Sequence, residues 1–379
     1  MKLYGEARLY LGGGAGATRG RNMGSAGMSD VMATDDVRTA FANQIDYCRA
    51  NGAPLTARIL EGVLAAIDGP GALLRAVRGW RGKPVADALP LRVAGGLHAL
   101  HLSGAEPVLA PLYAGDPAAM ADAEALIAEA IGRYDAALLP WLDGPPQTNE
   151  AGRSASYAAA LLWLAARTGT SRCEGIEIGS SAGINLMMDR YHYDLGGVQV
   201  GPAEAAMRIA PEWRASPPPA GKIAFESLRG CDIAPVDLTD PAQLLRLKAY
   251  VWPEHQVRFA RLEAAAAQAA RAAPDLVQAD AATFVEEALA RPQASGTMRV
   301  LMHSIVWQYL GAEGQARITA AMTAAADRAT QERPLAWIAL ETNRETFAHE
   351  LVVRHWPGDG VPVKLAHAHA HGAWVEWLD

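Results

Sequence analysis

Cysteine is scarce in this chain of 379 residues, which contains only Cys48, Cys173 and Cys231. Three thiols so far apart form neither the paired framework of a small secreted domain nor the spacing of a zinc finger. The chain also lacks any run of about 18 uncharged apolar residues, so the sequence predicts no transmembrane helix. These absences favour a protein of the reducing cytoplasm that does not cross a membrane.

Positive charge is in deficit, with 34 Lys and Arg against 41 Asp and Glu and a formal net charge of -7. A dedicated nucleic-acid binder usually has a basic face, so we expect no nucleic-acid partner. Half of the residues are hydrophobic and a fifth are charged, which is typical of a globular protein. The length suffices for two domains. We therefore expect a small-molecule substrate, and the sequence does not indicate the oligomeric state.

The first 27 residues are rich in glycine, and segment 11–17 (Leu-Gly-Gly-Gly-Ala-Gly-Ala) has no periodicity. This segment lacks the apolar core, about 7–15 residues long, of a signal peptide. We predict a disordered leader over residues 1–32 and a folded protein that begins near Met28 or Met32.

Residues 33–170 have apolar side chains at three- and four-residue spacing, which predicts helices. The predicted helices are 37–49, 55–67, 91–102, 118–139 and 154–167. No strand is predicted before Cys173. The sequence therefore predicts an all-helical N-terminal domain over residues 33–170, which would serve as a lid or substrate domain.

After Arg172 short apolar runs alternate with amphipathic stretches. The predicted strands are 175–178, 222–231, 276–278, 298–303 and 335–341. The predicted helices are one that ends at residue 190, then 240–252, 257–273, 283–290 and 315–330. The insertion 191–221 is predicted to be mostly loop, and the tail 350–377 to form antiparallel strands. This order predicts the α/β fold class, with a doubly wound Rossmann-like sheet in residues 171–379.

In a doubly wound sheet the ligand binds outside the carboxyl ends of the strands, so the residues there are candidates for function. A glycine-rich turn, Gly179-Ser-Ser181-Ala-Gly183, follows the first strand and Glu177. Glycine lets the backbone approach a cofactor closely. Asp232 ends the second strand, where a carboxylate can accept hydrogen bonds from ribose hydroxyls.

This series of strand ends resembles the class I methyltransferases, which use S-adenosylmethionine. The resemblance implies that Asp232 binds the ribose, that Asp280 accepts from the adenine amino group and that the Ala281 N–H reaches a ring nitrogen. It also implies that Glu177 supports the turn or the methionine amine, and that His303 lies near the amino-acid end of the cofactor. Ser181 stands where these enzymes usually have the middle glycine of the turn.

A polar cluster, Gln147-Thr-Asn149-Glu150-Ala-Gly152-Arg153, precedes the first strand. Together with Glu-x-Gly-x-Ser-Ala-Gly-x-Asn-Leu, it resembles a bacterial family known only as a domain of unknown function. Further motifs of that family are present at Asp189-Arg-Tyr-His-Tyr193, Gly230-Cys-Asp232, Tyr250-Val-Trp-Pro253 and His303-Ser-Ile-Val-Trp-Gln-Tyr309. The resemblance implies a methyltransferase-like fold and supplies no substrate.

The predicted reaction is methyl transfer from S-adenosylmethionine to a small-molecule nucleophile. His303, His98 and Glu150 are the candidates for a catalytic base, which is needed only if the acceptor is protonated. The residues predicted to line the substrate pocket are Asn149, Arg153, Trp252 and Gln308.

Other interpretations stay open on the same residues. Gly179 to Gly183 also matches the Gly-x-Ser-x-Gly nucleophile elbow of α/β-hydrolases, with Ser181 as nucleophile, although no oxyanion-hole motif lies upstream. A binding protein without catalysis is a further alternative. His367, His369 and His371 alternate along a predicted strand and could meet at Zn²⁺, but a solvent-facing stripe is favoured because no fourth ligand is evident. We predict no metal.

Overall fold

A computed structural model of the chain describes residues 36–379, so the leader predicted for residues 1–32 lies outside the described residues. The chain forms two compact units. The first comprises the described residues up to Thr148 together with Pro241–Phe259, and the second comprises Asn149–Asp240 and Ala260–Asp379. Within residues 36–379, every helix is too short or too polar to span a bilayer.

Helices make up most of the first unit, and the second unit has helices of its own that pack on its sheet. In chain order they are α1 (Val37–Ala50), α2 (Pro54–Ala66), α3 (Ala72–Arg78), α4 (Leu89–Leu102), α5 (Ala110–Tyr113), α6 (Pro117–Ala121), α7 (Ala123–Leu138), α8 (Ser154–Thr168), α9 (Pro241–Ala249), α10 (Gln256–Arg271), α11 (Ala281–Ala290) and α12 (Gly311–Ala326). No strand occurs between residues 36 and 171, as predicted.

The core of the first unit lies between the apolar faces of α1, α2, α4 and α7, with Phe41, Leu60, Leu97 and Ile127 fully buried. The sequence predicted the bounds of α1, α2 and α4 within two residues. The single helix predicted for 118–139 is instead two helices, α6 and α7, which meet at Asp122. The short helix α3 was not predicted.

Helix α3 is stabilised at its start by a side chain from α7. Asp135 accepts hydrogen bonds from the backbone N–H groups of Ala72 and Leu73, at 2.7 and 2.8 Å. These are two of the four amides at the start of a helix that have no acceptor within the helix itself. A remote cap of this kind explains why the local sequence around residue 72 has no capping signal.

Replacement of Asp135 by alanine is expected to lower the free energy of unfolding by about 1 kcal/mol, the usual cost of a lost helix cap. Urea denaturation followed by circular dichroism measures this change. Asp46→Ala is the matched control, because its exposed ion pair with Arg49 contributes little. Equal losses in the two variants would contradict a capping role.

The second unit is built on a nine-stranded sheet. Its strands are numbered β1 (Arg172–Ile178), β2 (His192–Leu195), β3 (Val198–Val200), β4 (Arg208–Ile209), β5 (Glu212–Arg214), β6 (Ala224–Asp232), β7 (Asp275–Gln278), β8 (Met298–Ser304), β9 (Leu335–Thr342), β10 (His349–Trp356), β11 (Val363–Ala368) and β12 (Trp374–Trp377). The order is β5-β12-β11-β10-β9-β8-β1-β6-β7, and β3-β2-β4 form a separate small sheet. The five neighbouring strands β9, β8, β1, β6 and β7 are parallel to one another. The pairs β9–β10, β10–β11 and β11–β12 are antiparallel, and the edge strand β5 is parallel to β12. The fold is therefore mixed α/β with a large, mostly parallel sheet.

Three features differ from the sequence-based expectation. Residues 191–221 contain β2 to β5, which at two to four residues each are too short for a periodic signal. The helix predicted to end at residue 190 is only a 3₁₀ helix, Asn185–Arg190. Helix α8, which we assigned to the helical domain, belongs to the second unit. Its residues from Ser154 to Leu164 are all buried, as expected for a helix that is apolar on every side.

Candidate functional site

The candidate site lies at the edge of the sheet where β1, β6, β7, β8 and β9 end. We call it the carboxyl edge, and the strands end there at Ile178, Asp232, Gln278, Ser304 and Thr342. From β1 the chain continues to β6 and β7 on one side, and then to β8 and β9 on the other. The order therefore reverses between β1 and β8, and such a switch point is where open α/β sheets bind ligands.

Glu177, near the end of β1, is a buried carboxylate with one unused oxygen. Its side chain is 2 % exposed, and its Oε1 accepts a hydrogen bond of 3.0 Å from Nδ2 of Asn185. Among the described residues, Oε2 has no hydrogen-bond partner. Burial raises the pKa of Glu177 to about 7, although hydrogen bonds from Asn185 and Ser180 and the positive charge of Arg153 favour the ionised form. A cation bound at Oε2 would stabilise the ionised form and so offset the effect of burial on this pKa.

The turn of residues 179–183, called the glycine turn below, has positive φ values at Gly179, Ser181 and Gly183 (66°, 53° and 70°). The faces of the two glycines are covered by protein: a Cβ at position 179 would lie 2.8 Å from Cβ of Val306, and one at position 183 would lie 2.9 Å from Pro274. The Ser181 hydroxyl is buried and, within residues 36–379, has no partner. Glycine therefore serves packing here, and Ser181 offers the unused polar atom.

Asp232 joins the glycine turn to the end of β6. Its Oδ2 accepts from the backbone N–H of Ser181 at 2.8 Å, and its Oδ1 accepts from that of Ala234 at 2.9 Å. Each carboxylate oxygen can accept a further hydrogen bond. The next side chain, Ile233, is 64 % exposed, so an apolar surface lies beside this carboxylate.

Asp280 and Ala281 follow β7, and here the structure provides a local role. Asp280 is the N-cap of α11, and its Oδ1 accepts from the N–H and the hydroxyl of Thr283 at 3.0 and 3.1 Å. Arg317 lies 3.5 Å from the same oxygen. Ala281 is the first residue of the helix. The helix cap accounts for the position of this aspartate without a ligand.

His303, on β8, has both ring nitrogens engaged by protein. Nε2 accepts from the indole N–H of Trp337 at 2.9 Å, and Nδ1 lies 2.7 Å from Oε1 of Glu341. Because an indole nitrogen only donates, the proton of the neutral ring is on Nδ1. The ring is 1 % exposed and stacks on Trp307 at 5.2 Å. This geometry leaves no ring nitrogen of His303 for a substrate.

The segment 149–153 connects the glycine turn with the C-terminal part of the sheet. Asn149 accepts from the N–H of Ile184 at 3.0 Å, and Nε of Arg153 donates to the carbonyl of Ala370 at 2.8 Å. Glu150 is buried and accepts from the N–H of Gly152 and from Arg261, at 3.0 and 3.2 Å. Glu150 is thus a cap and an ion-pair partner, which argues against its use as a base.

Two predicted site residues, His98 and Trp252, belong to the first unit. Nδ1 of His98 bonds to the carbonyl of Ala249 at 3.1 Å, and burial lowers the pKa of His98 to about 4. Trp252 packs edge to face on Tyr47, with ring centroids 6.0 Å apart. Both side chains contribute to packing within that unit.

Three residues at the carboxyl edge were missed by the sequence interpretation. Glu341 lies near the end of β9 and Asn185 follows the glycine turn. The rule that directed attention to other strand ends applies equally to Glu341, and Asn185 was visible as part of the Ser-Ala-Gly-x-Asn-Leu motif. Tyr157, fully buried on α8, had no sequence signal. Burial raises its pKa well above the usual value, and the negative charge of Glu177 raises it further, so its hydroxyl stays a neutral donor.

The tail histidines do not line one face of a strand. His367 lies on β11, whereas His369 and His371 lie in the turn that follows it, where the N–H of His371 donates to Nδ1 of His369 at 3.1 Å. Over the described part of the chain, no group of three or more His, Cys, Asp or Glu side chains is arranged to hold a metal ion.

The fold and this edge define an α/β protein with a buried polar candidate site at the switch point of a mostly parallel sheet. The chain belongs to the family described as "Uncharacterized protein conserved in bacteria (DUF2332)", whose family model matches residues 38–377. No curated protein and no solved structure matches the chain.

Proposed function

We propose that this protein binds S-adenosylmethionine at the carboxyl edge and transfers its methyl group to a small-molecule acceptor. The observation that carries the proposal is the buried Oε2 of Glu177, which has no partner among the described residues and lies at the switch point of the sheet. A buried polar atom without a partner costs free energy, so such an atom calls for a function. S-adenosylmethionine carries two positive charges, an ammonium and a sulfonium, that this carboxylate would attract.

The order of the parallel strands supports the same ligand class. Numbered by their order in the chain, the strands β7-β6-β1-β8-β9 read 3-2-1-4-5. This is the order of the doubly wound dinucleotide-binding fold. The proposal therefore includes a Rossmann-like, methyltransferase-type sheet for residues 172–342.

Three side chains would hold the cofactor. Glu177 would bind the ammonium, Asp232 would accept from the ribose hydroxyls with its remaining lone pairs, and Ile233 would cover one face of the adenine. The bound cofactor supplies a methyl group activated by the positive sulfur. The protein supplies alignment and exclusion of water, which account for much of the acceleration in a reaction of two bound partners.

The state of the candidate bases favours a particular class of acceptor. Both ring nitrogens of His303 bond to protein groups, and Glu150 forms an ion pair with Arg261. Neither residue is therefore well placed to remove a proton from an acceptor. An acceptor that already has a free lone pair at neutral pH needs no base. We therefore expect an amine of low pKa, an aromatic nitrogen or a thiolate as the methyl acceptor.

Calorimetric titration with S-adenosylmethionine and S-adenosylhomocysteine tests the proposal. Micromolar binding of either is expected, and labelled cofactor would then be used to search metabolite pools for the acceptor. Binding without any methyl transfer would point to the non-catalytic alternative. Absence of binding by both compounds would overturn the proposal.

Replacement of Asp232 by alanine is expected to weaken S-adenosylhomocysteine binding at least about tenfold, since it removes acceptors for the ribose and the bond that holds Ser181. Calorimetry measures the affinity, and circular dichroism checks that the variant is folded. Asp275→Ala is the control, because this aspartate lies at the opposite end of the sheet, on the first residue of β7. Unchanged affinity in Asp232→Ala would contradict the ribose role.

A hydrolase that uses Ser181 is the competing function. The positive φ of Ser181 is a feature of a nucleophile elbow. A catalytic serine also needs a general base at its hydroxyl, and no described residue bonds to Oγ of Ser181. A fluorophosphonate probe distinguishes the two functions: rapid labelling of Ser181 would favour the hydrolase.

A further inference from the structure

The loop that follows β8 is held in a strained conformation by one carboxylate. Ile305 has a φ of 54°, which is a true outlier for a β-branched residue. The next two amides, of Val306 and Trp307, both donate to Oε1 of Glu341, at 3.1 and 3.2 Å. The same oxygen accepts the Nδ1–H of His303 at 2.7 Å. One oxygen with three N–H donors is the arrangement of an ionised carboxylate.

This loop forms part of the carboxyl edge. Val306 packs directly on Gly179 of the glycine turn, and Trp307 stacks on His303. The loop continues to Gln308, whose buried Nε2 has no partner within the described chain, and to Tyr309, which is 47 % exposed. The position of Glu341 therefore determines where one wall of the candidate site stands.

We propose that Glu341 is a positioning residue of the candidate site. Its carboxylate holds residues 305–307 against the glycine turn, and His303 acts by fixing this carboxylate rather than by touching a ligand. Strained residues of this kind persist only where the surrounding structure enforces them, and they cluster at ligand sites. The inference rests on the proposed function for its affinity readout, while its second readout, exchange of the loop amides, needs no ligand.

Three variants test the role of Glu341. Glu341→Ala removes all three acceptor bonds, Glu341→Gln keeps an acceptor oxygen without the charge, and Ile305→Gly combined with Glu341→Ala relieves the strained residue, because glycine adopts positive φ without cost. Hydrogen–deuterium exchange of the peptide 304–310 and the dissociation constant for S-adenosylhomocysteine are measured in each.

We expect fast exchange at residues 305–307 and about tenfold weaker binding in Glu341→Ala. Glu341→Gln should lie between this variant and the wild type. The double variant should recover most of the affinity, which a general loss of stability would not allow, although amides 306 and 307 still lack their acceptor and should exchange fast.

Glu174→Ala is the matched control, since Glu174 is 18 % exposed against 19 % for Glu341 and binds Arg299 at the opposite end of the sheet. It should change stability but neither readout. Native exchange of the loop in both single Glu341 variants would overturn the proposal, and so would full ligand affinity in Glu341→Ala when its loop exchanges fast. If the wild type binds neither compound, the proposed function fails, and the exchange data alone still decide whether Glu341 holds the loop.

Discussion

Replacement of Glu177 by glutamine is expected to weaken binding of S-adenosylmethionine by about 100-fold, or about 3 kcal/mol, which is the usual cost of removing one partner from a buried charge pair. Glutamine has nearly the same shape and can still bond to Asn185, so the fold should be retained. Calorimetry of the two proteins at pH 8 measures the difference. An affinity within threefold of the wild type would remove the main support for the proposed function.

The pH dependence of binding gives a second measure of the same carboxylate. Since the pKa of Glu177 is about 7 in the folded protein, a cation that requires the ionised form must displace a proton at lower pH. The wild-type affinity should rise by about tenfold per pH unit below 7 and level off above it. In Glu177→Gln this rise should be absent. Titration in two buffers of different ionisation enthalpy counts the released proton directly.

The contribution of Glu177 to the free energy of unfolding should change with pH in the opposite direction, falling as the pH rises. Its folded-state pKa lies above the ordinary value of 4.5, so the folded protein keeps a proton that the unfolded chain loses. This contribution to the free energy of unfolding is complete below about pH 4.5 and is lost as the pH rises through about 7. The glutamine variant should therefore gain stability relative to the wild type over this range. Glu174→Gln, on the same strand, is the control for the chemical change.

Replacement of Gly372 by alanine is expected to lower the free energy of unfolding of the second unit by about 3 kcal/mol. Gly372 has a φ of 65°, which costs an alanine about 1 kcal/mol. A Cβ there would also lie 2.6 Å from the Cα of Gly152, and such overpacking adds about 2 kcal/mol. Because the clash is with backbone, no side-chain rotation relieves it. Urea denaturation of the variant measures the loss.

The same substitution should also disturb ligand binding, because Gly152 belongs to the segment that holds Asn149 and Arg153. Gly296→Ala is the matched control: its φ is 74° and nothing lies within 4 Å of the added Cβ. It should lose only about 1 kcal/mol and should bind S-adenosylhomocysteine as the wild type does. If both variants lose the same stability, the close approach of the two glycines is not a constraint on the fold.

Periodicity was sufficient to predict the main elements of the second unit. The five parallel strands and the antiparallel tail are confirmed. They range from four to nine residues, and they were recognisable because short apolar runs alternate along the chain with stretches of helical periodicity. The prediction that residues 191–221 are mostly loop was wrong, because β2 to β5 are very short and their burial depends on partners distant in the chain. Helix α8 was assigned to the wrong neighbour for a related reason: periodicity indicates that a helix is buried but does not say against what.

The candidate site was predictable in position but not in the use of its atoms. The strand-end rule found Glu177, Asp232 and His303, which the fold does bring to one edge. That His303 is enclosed by Trp337 and Glu341, on the neighbouring strand, follows from the pairing of β8 with β9, and a sequence does not contain that pairing. The unused oxygen of Glu177 is likewise a property of the packed structure.

The discontinuity of the first unit has a consequence for synthesis. Because residues Pro241–Phe259 belong to this unit, it stays incomplete on the ribosome until nearly 260 residues have been made, by which point β1 and β6 have already been synthesised. Domains of newly made chains generally fold in order from the N-terminus. The buried core of the first unit comes from residues 37–142, so helices α1 to α7 can pack early and the later segment completes the unit. Because each unit is made of two separate stretches of chain, no single proteolytic cut would release either unit intact.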